Sequence, residues 1–234
     1  MSTYKGRGIH GQVVETIGRR LVTGQFAENG RIDLVELEAE LQVSRTVVRE
    51  ALKVLAGKGL VDSRQKRGTV VRPRGEWNLL DPDVISWEFE SRGSEMLGQL
   101  AEVRQMFEPA AAALAADRRT DADLAELEAA LEDMTAARTP AEAASSDLRF
   151  HRAVLAATGN ELLVRMEVVI ESVLAERDRI VHDVVTVDDP VPSHRALLDA
   201  IRTGDREAAR TCALALLDKS MADVDRAARL QGDR

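Results

Sequence analysis

Val43-Ser44-Arg45-Thr46-Val47-Val48-Arg49-Glu50-Ala51-Leu52-Lys53-Val54-Leu55 reads as one capped helix with two unlike faces. Ser44 is a residue type that starts helices, apolar residues recur through Val47, Val48, Ala51, Leu52 and Leu55, and Gly57 and Gly59 end the run. Val48, Leu52 and Leu55 are expected to face a core, which leaves Arg45, Thr46 and Arg49 on the outer side. Upstream, a helix over about 35–41 carries Leu34, Leu37 and Leu41 on one face. Before it, residues 9–23 place Ile9, Val13, Ile17, Leu21 and Val22 on a helical stripe. Downstream, Leu60 to Ser63 and Thr69 to Arg72 are short β-prone runs around the basic turn Arg64-Gln65-Lys66-Arg67-Gly68, the pattern of a hairpin.

Helix, helix, capped helix and basic hairpin in that order predict a winged helix-turn-helix over residues 1–75. A recognition helix of this length fits the DNA major groove, where an arginine can pair with guanine or hold a phosphate. The hairpin turn at Lys66, Arg67 and Gly68 would follow the backbone or the minor groove. A surface helix with ordinary arginines is the simpler alternative, and the order of the elements counts against it.

Charge divides along the chain in the same place. The net charge is −8, yet residues 1–75 hold 14 Lys/Arg against 8 Asp/Glu, while the remainder holds 18 against 32. Only the N-terminal part is therefore suited to an anionic polymer. Aromatics make up 3% of the chain and Ala and Leu are abundant, which favours packed helices over sheets. The single cysteine, Cys212, excludes an internal disulfide. With neither a leader-like start nor an apolar run of spanning length, a cytoplasmic protein without membrane contact is expected.

Residues 76–82 read as a linker and 83–234 as an all-helical domain, with helices near 83–91, 94–117, 121–137, 141–157, 161–182, 193–203 and 205–229. Pro109 is expected to kink the second of these. Asn160 is placed to cap one helix, and Gly204-Asp205 to end one helix and begin the next.

Asp147 and His151 are four residues apart and project from one helical face, where carboxylate and imidazole can share a metal. His194 could complete a facial set suited to Zn, Ni, Mn or Fe. Spacing alone favours an ordinary Asp–His helix pair and an unrelated surface histidine, because isolated pairs are common. Arg104 lies among Leu100, Val103 and Phe107, so it needs an anionic partner. That partner is either a structural carboxylate such as Glu108 or Asp147, or the carboxylate of a ligand.

The segment Val43 to Leu52, with Leu55, Gly59-Leu60-Val61 and Arg67-Gly68-Thr69-Val70-Val71, resembles the winged helix of the GntR family. The resemblance implies operator DNA as a partner, contacted by Arg45, Thr46 and Arg49 beside Ser44, with Lys66, Arg67 and Gly68 assisting. Two positions depart from the family: Val35 stands where an arginine is usual, and Gln42 where a glycine is. Residues 80–229 are similar to the FCD ligand domain of the FadR subfamily. The matching stretches are Glu102 to Ala111, Asp147 to His151, Thr158-Gly159-Asn160 and His194 to Asp205. That similarity implies an antiparallel bundle around a polar cavity, homodimerisation, and a small acidic metabolite as ligand. It also implies a divalent metal on Asp147, His151 and His194, with Arg104 and Asn160 as further candidate ligand contacts. A usual last-helix histidine is replaced here by Leu216, and His182 could compensate only if the bundle brings it near. The stretch Trp77-Asn78-Leu79-Leu80-Asp81-Pro82-Asp83-Val84 is similar to the linker of galactonate-type regulators, which points to a sugar acid.

The expected function is a ligand-responsive repressor, in which the acid favours a conformation that spaces two winged helices wrongly for the operator. The competing reading is a helical metal-dependent enzyme using Asp147, His151 and His194. The chain carries no Gly-rich phosphate loop, nucleophile elbow or His-Glu-x-x-His motif to support that reading.

Overall fold

The computed structural model describes residues 8–64, 68–181 and 189–232. Two compact units, Met1–Met96 and Leu97–Arg234, divide the chain.

The first unit begins with α1 (Ile9–Val22), α2 (Leu34–Leu41) and α3 (Arg45–Gly57). Their inward residues Val13, Ile17, Leu21, Leu37, Val48, Ala51 and Leu55 are each at most 4% exposed and form one core. Asp33 caps α2 by accepting from the Val35 and Glu36 amides. Gln42 ends α2 in the left-handed region (φ 54°, ψ 40°). The turn geometry thus survives the loss of glycine, with a strain of about 1 kcal/mol carried by a residue with a Cβ. Ser44 occupies the N-cap position of α3 with an extended backbone, but its hydroxyl makes no capping hydrogen bond.

The sheet has three strands, β1 (Arg31–Ile32), β2 (Val61–Arg64) and β3 (Gly68–Val71), in the order β1-β3-β2, all antiparallel. The hairpin was legible in the sequence; β1 was not, since two residues carry no periodicity. Lys66 and Arg67 lie outside the described residues.

The long helix α4 (Pro82–Arg118) is interrupted at Gly93 (φ 42°, ψ −110°), close to the break read between 91 and 94. Its first segment adds Val84 and Trp87 to the core of the first unit. Trp87 lies over Gly18 of α1, where a Cβ would meet three indole atoms within 2.7 Å. Pro109 sits inside α4 without any non-helical residue beside it. Its missing amide would have bonded the Gln105 carbonyl, and Gln105 is exposed, so water can take that role.

In the second unit, α5 (Asp121–Ala136) and α6 (Pro140–Ala157) each start with a threonine capping box. A connection of three residues joins them, so they run antiparallel. The apolar run read as one helix over 161–182 is two, α7 (Glu161–Arg165) and α8 (Glu167–Val181). Periodicity continues across Met166, and only the backbone turn there separates them. Next, α9 (Val191–Thr203) opens two residues before its expected start, with Pro192 near its N-terminus. Left-handed Gly204 ends it, and Asp205 accepts from the Ala208 amide at the start of α10 (Arg206–Gly232). Phe150, Leu127, Leu131, Leu198, Ile201 and Ala209 form the centre of this bundle.

Candidate functional site

On α3 the outward residues are those expected. Ser44, Arg45, Thr46 and Arg49 are all exposed, while Val48, Ala51, Leu52 and Leu55 hold the helix from behind. The Arg45 side chain is 65% exposed and reaches a carboxylate, Glu38, only at 3.7 Å. Val35 is 64% exposed on α2, so the position where the family has an arginine presents an apolar surface instead. Gly68 takes φ +77° at the base of the hairpin turn, a conformation that suits glycine.

In the second unit, α6 presents Asp147 and His151 one turn apart, and the first turn of α9 brings His194 to them. One ligand atom from each of the three lies within 4.8 Å of the others, and all three residues are buried. The orientation of each ring follows from its second nitrogen. His194 Nδ1 lies 2.8 Å from the Pro190 carbonyl oxygen, which can only accept, so Nδ1 carries the proton. Its Nε2 then faces Asp147 Oδ1 at 2.8 Å. His151 Nδ1 lies 3.2 Å from Glu108 Oε2, and its Nε2 is 3.5 Å from the same Asp147 oxygen. With both Nδ1 atoms used as donors, two imidazole lone pairs and a carboxylate oxygen converge. Such a set calls for a cation, either a proton on a ring or a metal ion, so the donor set fits a divalent metal. Phe150 packs edge-on against His194 with ring centres 5.0 Å apart, fixing that ring's plane.

Arg104 is 2% exposed and its partner is Glu108, bonded through Nε and Nη2. Burial would raise the Glu108 pKa, but the charges and hydrogen bonds of Arg104 and His151 outweigh it and hold the carboxyl at about 2. Glu108 therefore ties α4 to α6 and orients His151. A cavity of about 20 Å³ adjoins the three ligand residues, lined also by Arg104, Ser193, Leu216, Lys219, Ser220 and Asp223. Leu216 does stand at the site, with methyl groups where an imidazole was expected. Asn160 is elsewhere in use: its side chain caps α7 by accepting from the Leu162 amide, and it does not line this cavity. His182 lies outside the described residues.

Sequence reading had missed Lys219, Ser220 and Asp223. The signal was present, since 216, 219, 220 and 223 continue the buried stripe Ala209-Ala213-Leu216 of α10 with polar residues at helical spacing.

Residues 9–71 match the family model for bacterial regulatory proteins of the gntR family, and residues 99–219 match the FCD domain. The chain belongs to the GntR family. It is similar to the galactonate operon transcriptional repressor of Escherichia coli K12, with 35% identity covering 89% of this chain and 93% of the relative. It is also similar to the HTH-type transcriptional regulator LutR of Bacillus subtilis, with 32% identity covering 83% and 91%. A solved structure of Lar from Listeria monocytogenes shares the fold at TM-score 0.63 and 18% identity, covering 95% and 99%. This GntR-family chain is a DNA-binding transcription regulator with an N-terminal helix-turn-helix and a C-terminal helical FCD domain. Both matches are to regulators, and nothing in them supports the metal-dependent enzyme considered above. Among the described residues no helix is long and apolar enough to cross a membrane.

Proposed function

We propose that this regulator is a cytoplasmic homodimeric repressor whose release from its operator is triggered by a sugar acid or similar small carboxylate. The DNA-reading module is 1–75, the linker 76–82 and the sensing module 83–234. Two copies of α3 enter successive major grooves, with Arg45, Thr46 and Arg49 beside Ser44 making the contacts and Lys66, Arg67 and Gly68 of the wing supporting them. The single observation behind this reading is the exposed Arg45-Thr46-Arg49 face on a helix fixed by a buried opposite face.

Arg49→Ala is expected to weaken binding to an operator duplex selected from a random library by about 1–3 kcal/mol, roughly 5- to 150-fold. Fluorescence anisotropy measures it, and unchanged affinity would move the reading surface elsewhere.

The effector reading rests on the convergence of His151 Nε2, His194 Nε2 and Asp147 Oδ1. These three residues would hold a divalent ion such as Zn, Ni or Mn, which supplies open positions to the oxygens of a carboxylate ligand. Arg104 and Lys219 line the same cavity beside Asp147 and Asp223, and their N–H groups can donate to a carboxylate. Similarity to a galactonate operon repressor favours a sugar acid. Because the cavity is only about 20 Å³, such a ligand enters by displacing side chains, which links binding to a change of conformation.

Purified protein is expected to carry stoichiometric metal by mass spectrometry, and His194→Ala to lose it. Galactonate or a related acid should then raise the melting temperature only before chelation. Stabilisation that survives chelation, on metal-free protein, would replace the metal with direct contacts to Arg104.

A further inference from the structure

The first unit holds a second cationic feature, which adjoins the start of α3. A cleft of about 390 Å³ lies among β1, the start of α2, the start of α3 and the wing, and its lining includes Arg31, Asp33, Val35, Arg45 and Gly68. Arg31 is exposed and has no carboxylate partner among the described residues. Its guanidinium lies against the wing glycine: a Cβ on Gly68 would come within 3.0 Å of Nε and 3.3 Å of Nη2. Glycine at 68 therefore leaves room for Arg31 as well as for the backbone turn. Arg45 approaches the same cleft from the recognition helix, with its Nε 3.7 Å from Glu38. The one acid in the lining, Asp33, is occupied in accepting from the Val35 and Glu36 amides. The floor at Val35 offers no charge of its own, so the two arginines outnumber the single carboxylate, Asp33, in the lining.

We propose that Arg31 and Arg45 together hold one backbone phosphate of the operator in this cleft. The inference rests on the reading above that α3 faces DNA, and it adds a contact outside the helix-turn-helix. A doubly flanked phosphate at this point would fix the register of α3 against the wing without reading sequence. It would also supply, from β1, the positive charge that Val35 does not supply from α2.

The test uses the full-length chain, an operator duplex selected from a random library with wild-type protein, and an unrelated duplex of equal length. Affinity is measured from 50 to 300 mM salt for wild type, Arg31→Ala, Arg31→Lys, Arg45→Ala and Arg49→Ala. A phosphate contact contributes about 0.9 to the salt slope for each bound protomer. Arg31→Ala is expected to weaken binding to both duplexes on the order of tenfold near 0.1 M salt, with a slope shallower by about that amount. Arg31→Lys should recover most of the loss, because charge alone suffices for a phosphate. Melting curves that overlay wild type exclude unfolding, and the Lys variant, which keeps the charge, provides a second comparison.

Wild-type affinity and slope in Arg31→Ala, while Arg45→Ala and Arg49→Ala are impaired, would overturn the Arg31 contact and leave the recognition helix intact. Loss on the operator only, with an unchanged slope, would also overturn it, because that is the signature of a base contact. If Arg45→Ala and Arg49→Ala both bind normally, the reading of α3 fails and this inference falls with it.

Discussion

Replacing Arg104 with methionine should destabilise the Leu97–Arg234 unit by about 3–5 kcal/mol, the usual consequence of breaking a buried ion pair from one side. Arg104 and Glu108 are 2% and 6% exposed, so a carboxylate that has lost its guanidinium partner and keeps His151 cannot turn to solvent. Arg104→Met with Glu108→Gln should recover much of the loss, since the remaining amide carries no charge. The same pair predicts an acid limb. Glu108 titrates at about 2 in the folded chain against an ordinary 4.5. Its folded pKa is lowered, so its contribution is complete above pH 4.5 and disappears as pH falls toward 2. A shift of that size corresponds to about 3 kcal/mol. Urea titrations from pH 5 down to pH 2 should therefore show a steeper decline in wild type than in Glu108→Gln. Parallel acid limbs would mean that the pair is far more hydrated than its burial indicates.

Gly18→Ala is expected to destabilise the first unit, contrary to the rule for helix interiors. Alanine ordinarily improves an internal helical glycine by about 1 kcal/mol. Here the new methyl carbon would lie 2.4 Å from two atoms of the Trp87 indole and 2.7 Å from a third. Trp87 is 2% exposed and belongs to the same core as Ile17 and Leu21. The ring must shift or leave. Overpacking costs about 1–3 kcal/mol, and losing a buried tryptophan about 3–5. A net loss of roughly 2 kcal/mol or more is expected in chemical denaturation, with a change in tryptophan fluorescence. Trp87→Leu in the Gly18→Ala background should relieve the clash and restore part of the stability. A stabilised Gly18→Ala protein would show that helix and indole are not in contact in solution.

What could be read from the chain and what could not follow from the range of the interactions involved. The reading of α3 was possible because a cap, a periodic apolar face and terminal glycines all lie within sixteen residues, Ser44 to Gly59. Asp147 and His151 were visible as a pair for the same reason, being one turn apart. The participation of His194 needed the bundle, since spacing left it as an unrelated histidine. Arg104 was recognised as needing an anion, and the structure selected Glu108, four residues further along the same helix. Glu108's second bond, to His151 on α6, is tertiary and left no local mark. β1 escaped because a two-residue strand exists only through its pairing with β3. The helix break at Met166 escaped because the apolar pattern of α7 runs on into α8.

The seat of Trp87 also bears on how this protein can be divided and recombined. A fragment ending at residue 75, where the hairpin closes, would omit Val84 and Trp87 and leave an apolar hollow along α1 open to water. The compact unit that holds Trp87 runs to Met96, so the first segment of α4 belongs with it. Grafting this reader onto a different sensor therefore means carrying those extra turns of helix across, and making the join beyond them.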